Sequence, residues 1–443
     1  MIKRKRLRTI STVLVAFVFL PLSGFASDWP EFRGPGGLGI WNEPDAVPGL
    51  PDGEGLLPRV WSAPVGAGYS GPTVAGDGVY VLDRGATGSN EEVERIVCLD
   101  RATGDVKWIH TYACRYIDIQ YAYGPRSSVT MRDGKAYALG AMGHLHCLDA
   151  STGKVHWAKD LGSVYAIDMP IWGLAASPVV AGDAVIVQAG AKEDGACILA
   201  FDIATGEEKW RAFADKASYT TPMLLNREDN TILVAWTGER IAGMDPATGA
   251  VHWEIATPPN RMPINVPGPA VSEDGRHLFL AVFYDGSRLI ELSDDGLQAK
   301  QLWHRQGINE RTTDALHCMI SPPFFFGDHI YGFDSYGQMR CLEPTTGDRI
   351  WENQEAVPYG RWGTVFSVRN GDHIWMLNER GELIIATVSP EGYSEVDRAK
   401  LIEPTTELRQ RPEGTVLWSH PAFAGTRVYA RNDRELVCVE LGE

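Results

Sequence analysis

The chain has 443 residues, 44% hydrophobic and 22% charged, with 47 glycines, 14 tryptophans and a formal charge of −16. This composition excludes a disordered chain, and the length exceeds one ordinary compact core, which leaves a repeat architecture or several domains. The acidity argues against nucleic acid or anionic lipid as a partner.

In chain order, the first predicted element is an export signal over residues 1–26. "MIKRKRLR" is a basic start, "TISTVLVAFVFLPL" an apolar stretch, and Gly24 and Ala26 are the small residues that place cleavage after Ala26. The apolar run is short for a bilayer span, so cleavage is favoured over an uncleaved anchor. No Cys follows it, so no lipobox is expected, and no later stretch is long and apolar enough to be a transmembrane span. Removing Lys3, Arg4, Lys5, Arg6 and Arg8 would take the formal charge from −16 to −21. A periplasmic or secreted location follows. Seven cysteines leave one unpaired in any full disulfide set. Five of them (Cys98, Cys147, Cys197, Cys341 and Cys438) fall in apolar strand-like runs and read as buried thiols.

Residues 27–57 are rich in Gly and Pro and read as an irregular segment lying on the surface of a larger domain, residues 58–443. That domain carries a repeat. "CLDRATGDVKW" (98–108), "CLDASTGKVHW" (147–157), "AFDIATGEEKW" (200–210), "GMDPATGAVHW" (243–253) and "CLEPTTGDRIW" (341–351) share D/E-x-x-T-G-x-x-x-W, and a degenerate copy closes on Trp303. The closing tryptophans are 43 to 53 residues apart. Each unit divides into four short strands with Gly and Asp turns, as in "SSVTMRD", "KAYALGA", "HLHCLDA" and "KVHWAKD". Such repeats predict an all-β, eight-bladed β-propeller of four-stranded antiparallel blades. Six units end between Trp108 and Trp351, a seventh spans about 361–402, and an eighth starts at "WSHPAFAG" with only three strands. Its missing strand is "PRVWSAP" near Trp61, so the two ends of the chain share one blade and close the ring. A solenoid would need capped ends; these ends are complementary.

The units resemble the pyrroloquinoline quinone (PQQ) repeat of the PQQ-like β-propellers, a family that includes BamB and the quinoprotein alcohol dehydrogenases. "DWPEFRGP" (28–35), "YGPRSSV", "WGLAASPVV", "ASYTTP" and "VAWTGE" are similar to the exported planctomycete-type subgroup. The resemblance covers residues 28–443. The repeat is strong evidence for the fold and weak evidence for a bound cofactor, because many members of the family bind no quinone and function rests on sites rather than folds.

In such a fold the loop leading into each first strand opens on the central channel. These loops are mostly small and hydroxyl residues. The exceptions are Tyr69, Arg126, Trp172, Tyr219, His317, Arg361, Trp362, Trp418 and His420, the candidate ligand-binding residues at the channel mouth. Aromatics, arginines and histidines together suit a small anionic or planar ligand; equally, the aromatics could plug the channel. The tyrosine-rich loop 114–126 could recognise a partner or cover the channel.

For PQQ with calcium, which the dehydrogenase resemblance implies, Arg126 and Arg361 suit the carboxylates, Trp172 or Trp362 could stack, and Asp118, Asp168 and Asp314 could reach. No adjacent Cys-Cys pair, no Cys-x-x-Cys-His and no metal-ligand spacing occurs, so no metal site and no catalytic residue is assigned. The leading expectation is a non-catalytic binding or assembly module of the cell envelope, with an envelope protein or small ligand as partner. The alternatives are a PQQ-dependent quinoprotein dehydrogenase acting on an alcohol or sugar, and a glycan- or polymer-binding accessory protein.

Overall fold

The computed structural model describes residues 27–46, 48–51, 55–86, 91–408 and 411–441. The signal expected at 1–26 lies outside the described residues. Eight four-stranded antiparallel sheets are arranged as the blades of a propeller, and none of the described helices is long and apolar enough to cross a membrane. Blade 2 is typical: Thr130–Arg132, Lys135–Leu139, His144–Asp149 and Val155–Asp160 pair in sequence order. Its second and third strands are almost wholly buried, whereas outer strands such as Val106–Ala113 alternate between exposed and half-buried. That difference follows from position, since inner strands are packed on both faces and outer strands meet water.

The repeated phrase builds the seams between blades. In blade 1, Asp100 Oδ1 accepts the backbone N–H groups of Ala102 (2.9 Å) and Thr103 (3.0 Å), an Asx turn. Gly104 follows at φ 76°, and a Cβ there would lie 2.7 Å from the ring of Trp61 in the neighbouring blade. Only glycine serves both needs. The closing indoles then lock the ring: Trp61 donates to Arg101 O (3.0 Å), Trp108 to Ala150 O (2.9 Å), Trp157 to Ile203 O (3.2 Å), Trp210 to Pro246 O (3.1 Å), Trp253 to Gly296 O (2.9 Å), Trp303 to Pro344 O (2.8 Å) and Trp351 to Ser389 O (2.8 Å).

Cysteines serve the interior. Tyr80, Cys98 and Trp108 lie side by side across three strands, and Tyr137, Cys147 and Trp157 repeat the row. All seven thiols are buried and free. The ring closes as the complementary ends predict: Arg59–Pro64 pairs antiparallel with Glu435–Glu440, with Trp61 opposite Cys438.

The segment before the propeller is more deeply engaged than an irregular surface strip would be. Trp29 and Trp41 are each 1% exposed. Trp29 exchanges backbone hydrogen bonds with Val74 of blade 1 (2.9 and 2.8 Å). Blade 7, whose outer strand Gly392–Lys400 has no Trp, is sealed against blade 8 by Trp41, which packs on Trp375 and Phe423 and donates to Gly425 O (3.0 Å). A tryptophan is thus supplied out of sequence where the repeat omits one.

Candidate functional site

The loops leading into the first strands converge on one end of the channel, and the loop between blades 1 and 2 carries Tyr121 to Trp172, Trp362 and Trp418 of three other such loops. It is anchored at its base by Glu94, fully buried, which accepts hydrogen bonds from Tyr112 (2.6 Å), Tyr116 (2.5 Å) and the N–H of Ala141 (3.1 Å). Further along, Arg126 donates to the carbonyls of Gly124 (2.8 Å), Gln120 (2.9 Å) and Tyr121 (2.7 Å) and lies over the Tyr69 ring at 5.2 Å. Three carbonyls on one planar fork hold the loop's curl. Tyr121, at φ 51°, is thereby set edge-on to Trp172 (6.4 Å), Trp362 (6.3 Å) and Trp418 (6.1 Å).

Beneath Tyr121 these rings, with Tyr69 and Tyr219, wall a cavity of about 150 Å³. Its floor comes from the far side. Phe32, in the segment crossing the opposite face, meets the His420 ring edge-on at 4.8 Å. His420 is 5% exposed, with Nδ1 3.3 Å from Pro421 O and Nε2 2.7 Å from Ser128 Oγ. A carbonyl can only accept, so Nδ1 carries the proton and Nε2 is left to accept from Ser128. Burial, reinforced by nearby Arg33, pushes the His420 pKa down to about 4, so the ring is neutral near pH 7. Gly71 makes room for it: a Cβ there would stand 2.3 Å from the imidazole.

Seven of the nine sequence candidates (Tyr69, Arg126, Trp172, Tyr219, Trp362, Trp418 and His420) line this cavity. Two do not. His317 is a strut between blades, its Nδ1 facing Phe283 O (3.0 Å) and its Nε2 accepting from Gly307 N–H (3.0 Å). Arg361 lies over Trp362 at 4.6 Å and faces Glu310 at 3.6 Å. Phe32 and Tyr121 are not singled out by the sequence. Phe32 is remote in sequence from every blade-leading loop; Tyr121 lies in a tyrosine-rich loop that offers no way to choose among its rings. A larger cleft of about 830 Å³ lies on the opposite face, between residues 28–37 and the hairpins of blades 1 to 4, and its wall mixes acids and bases.

The residues present do not fit PQQ. The cavity is half the lower size of ordinary small-molecule sites, about 300 Å³. Arg126 is committed to backbone carbonyls, and Arg361 stands beside Glu310 outside the cavity. Asp168 pairs with Lys216 (2.9 Å) and Asp314 with Arg305 (2.8 Å), and no group of three potential metal ligands occurs among the described residues.

The family model described as outer membrane protein assembly factor BamB matches residues 94–353. A comparison with curated proteins finds no match. Among solved structures, BamB from Moraxella catarrhalis is similar with a TM-score of 0.55 and 18% identity, over 86% of this chain and 97% of that one. Quinohemoprotein alcohol dehydrogenase from Comamonas testosteroni is similar with a TM-score of 0.63 and 14% identity, over 94% and 81%. A europium-containing methanol dehydrogenase gives 0.59 and 14%, over 91% and 89%. Identities this low carry the fold and no more.

Proposed function

The chain belongs to the family of the outer membrane protein assembly factor BamB, and from that premise we propose that it is a non-catalytic binding and assembly module of the cell envelope, exported by the signal expected at residues 1–26. The observation that carries this reading is the distribution of apolar side chains on the channel-mouth face. Ile117, Val164, Ile308 and Tyr359, in the connections leading into blades 2, 3, 6 and 7 (Val164 at the end of the short helix Leu161–Val164), are 55, 66, 86 and 61% exposed. Large apolar groups held out to solvent on one end of a rigid ring suit a protein partner. The loop carrying Ile117 is tied down by Arg126 and Glu94, so its presentation costs little ordering on binding.

A photocrosslinking residue placed at Ile308 in living cells tests the reading. It should trap an outer-membrane assembly protein, and the same residue at Val251, on an outer strand, should not. Equal trapping at both sites, or none at either, removes the proposal.

A further inference from the structure

The tryptophans of this protein divide by what their N–H groups do. Each of the seven seam indoles donates to a carbonyl of the adjacent blade. The three channel indoles do not: Trp172, Trp362 and Trp418 have buried Nε1 atoms with no acceptor among the described residues, and the Tyr69 hydroxyl beside them is likewise buried and without a partner there. Trp362 is itself only 7% exposed. Another unpartnered indole, Trp29, packs elsewhere, against Phe423. Leaving one buried donor unmade costs free energy; a protein that satisfies its seam indoles so regularly but leaves four donors around one cavity has spent them on something else.

We infer that this cavity binds a compact ligand made of one aromatic ring bearing a carboxylate. Size sets the ring count, because a cavity of about 150 Å³ is of the size that accepts benzene, and fused rings would not enter. The walls set the body: the faces and edges of Tyr121, Tyr219 and the three indoles suit an apolar ring. The unpartnered groups set the polar end, since an indole N–H can only donate and therefore calls for oxygen acceptors. Charge sets its sign. Among the described residues no carboxylate lines the cavity, whereas Arg126 does; its N–H groups are taken by loop carbonyls, but its positive charge remains, which favours an anion over the quaternary ammonium that aromatic cages otherwise suit. This site is separate from the exposed loop surface proposed for a protein partner and does not depend on it.

The test is calorimetric titration of the purified full chain with benzoate, benzyl alcohol and tetramethylammonium, with indole fluorescence read in parallel. Saturable benzoate binding is expected, tighter than benzyl alcohol, with no binding of tetramethylammonium. Tyr69→Phe removes one oxygen, and Trp418→Phe keeps an aromatic ring without the N–H. Each should weaken benzoate roughly fivefold or more while leaving the melting temperature close to that of the parent. Trp351→Phe, at a seam, should leave benzoate affinity unchanged. Absence of saturable benzoate binding, preference for tetramethylammonium, or unchanged affinity in both Tyr69→Phe and Trp418→Phe would overturn the inference.

Discussion

The ring of Trp61 lies 5.9 Å from that of Tyr429, although the two residues stand near opposite ends of the chain. Trp61 is on the outer strand of blade 8, opposite Cys438, and Cys438 is opposite Tyr429. Its indole then reaches forward to Arg101 O in blade 1. One side chain therefore joins the last blade to itself and to the first. Trp61→Ala should cost about 3–5 kcal/mol, the usual range for emptying a buried Trp site. Urea unfolding measures it, and Gly104→Ala, which pushes a methyl into the same ring from a left-handed backbone, should destabilise more than Gly76→Ala, where φ is 55° but nothing lies within 4 Å.

Arg126 offers a sharper test of the loop. Its bonds are to Gly124, Gln120 and Tyr121 carbonyls, so Arg126→Ala frees the curl that sets Tyr121 over the cavity. Limited proteolysis should cut the loop 114–126 in this variant and spare it in the parent. Arg126→Lys should not restore protection, because an ammonium lacks the fork. Arg361→Ala, whose Glu310 partner is 3.6 Å away, should leave the loop protected.

Asp215 is fully buried and receives two hydrogen bonds from Arg240 (both 2.8 Å) and one from Thr237 (2.7 Å). Arg240→Met strands that carboxylate and should cost about 3–5 kcal/mol. Arg276→Met, which breaks an ion pair with Asp294 between largely exposed side chains, should cost about 0–1 kcal/mol. Denaturant midpoints of the two variants distinguish a buried pair from a surface one.

Histidine burial predicts acid sensitivity. His420 is held down to about 4 by burial, and His146 to about 3 by burial with His110 and His144 beside it. An unfolded histidine titrates near 6.5. Below that pH the unfolded chain takes up protons that the folded rings refuse, so stability falls as the pH drops from 6.5 towards 4 and is regained on return to neutrality. For His420 the loss is on the order of 3 kcal/mol. Unfolding at pH 7 and pH 5 should show this fall, and a neutral His420→Gln should reduce it even if it lowers stability at both pH values.

The architecture was legible in the sequence because it is written in local chemistry. An Asp that caps a turn, a Gly that reverses it and a Trp at constant spacing each act within a few residues, and repetition makes the pattern unmistakable. The shared blade was legible for a related reason: three strands at one end and one at the other leave an edge that only their pairing removes.

The channel was only partly legible. Position before each first strand was enough to bring seven of nine candidates to one cavity. It could not show that Arg126 spends its donors on its own loop, or that His317 braces two blades, because hydrogen-bond partners are chosen in three dimensions. Nor could it bring Phe32 through the opposite face to His420, or send Trp41 to the seam that blade 7 leaves without a tryptophan. Local turn chemistry and periodic burial were determined by the sequence alone. Which donors are satisfied, and which are left without an acceptor beside the channel, was decided by packing between residues far apart in the chain.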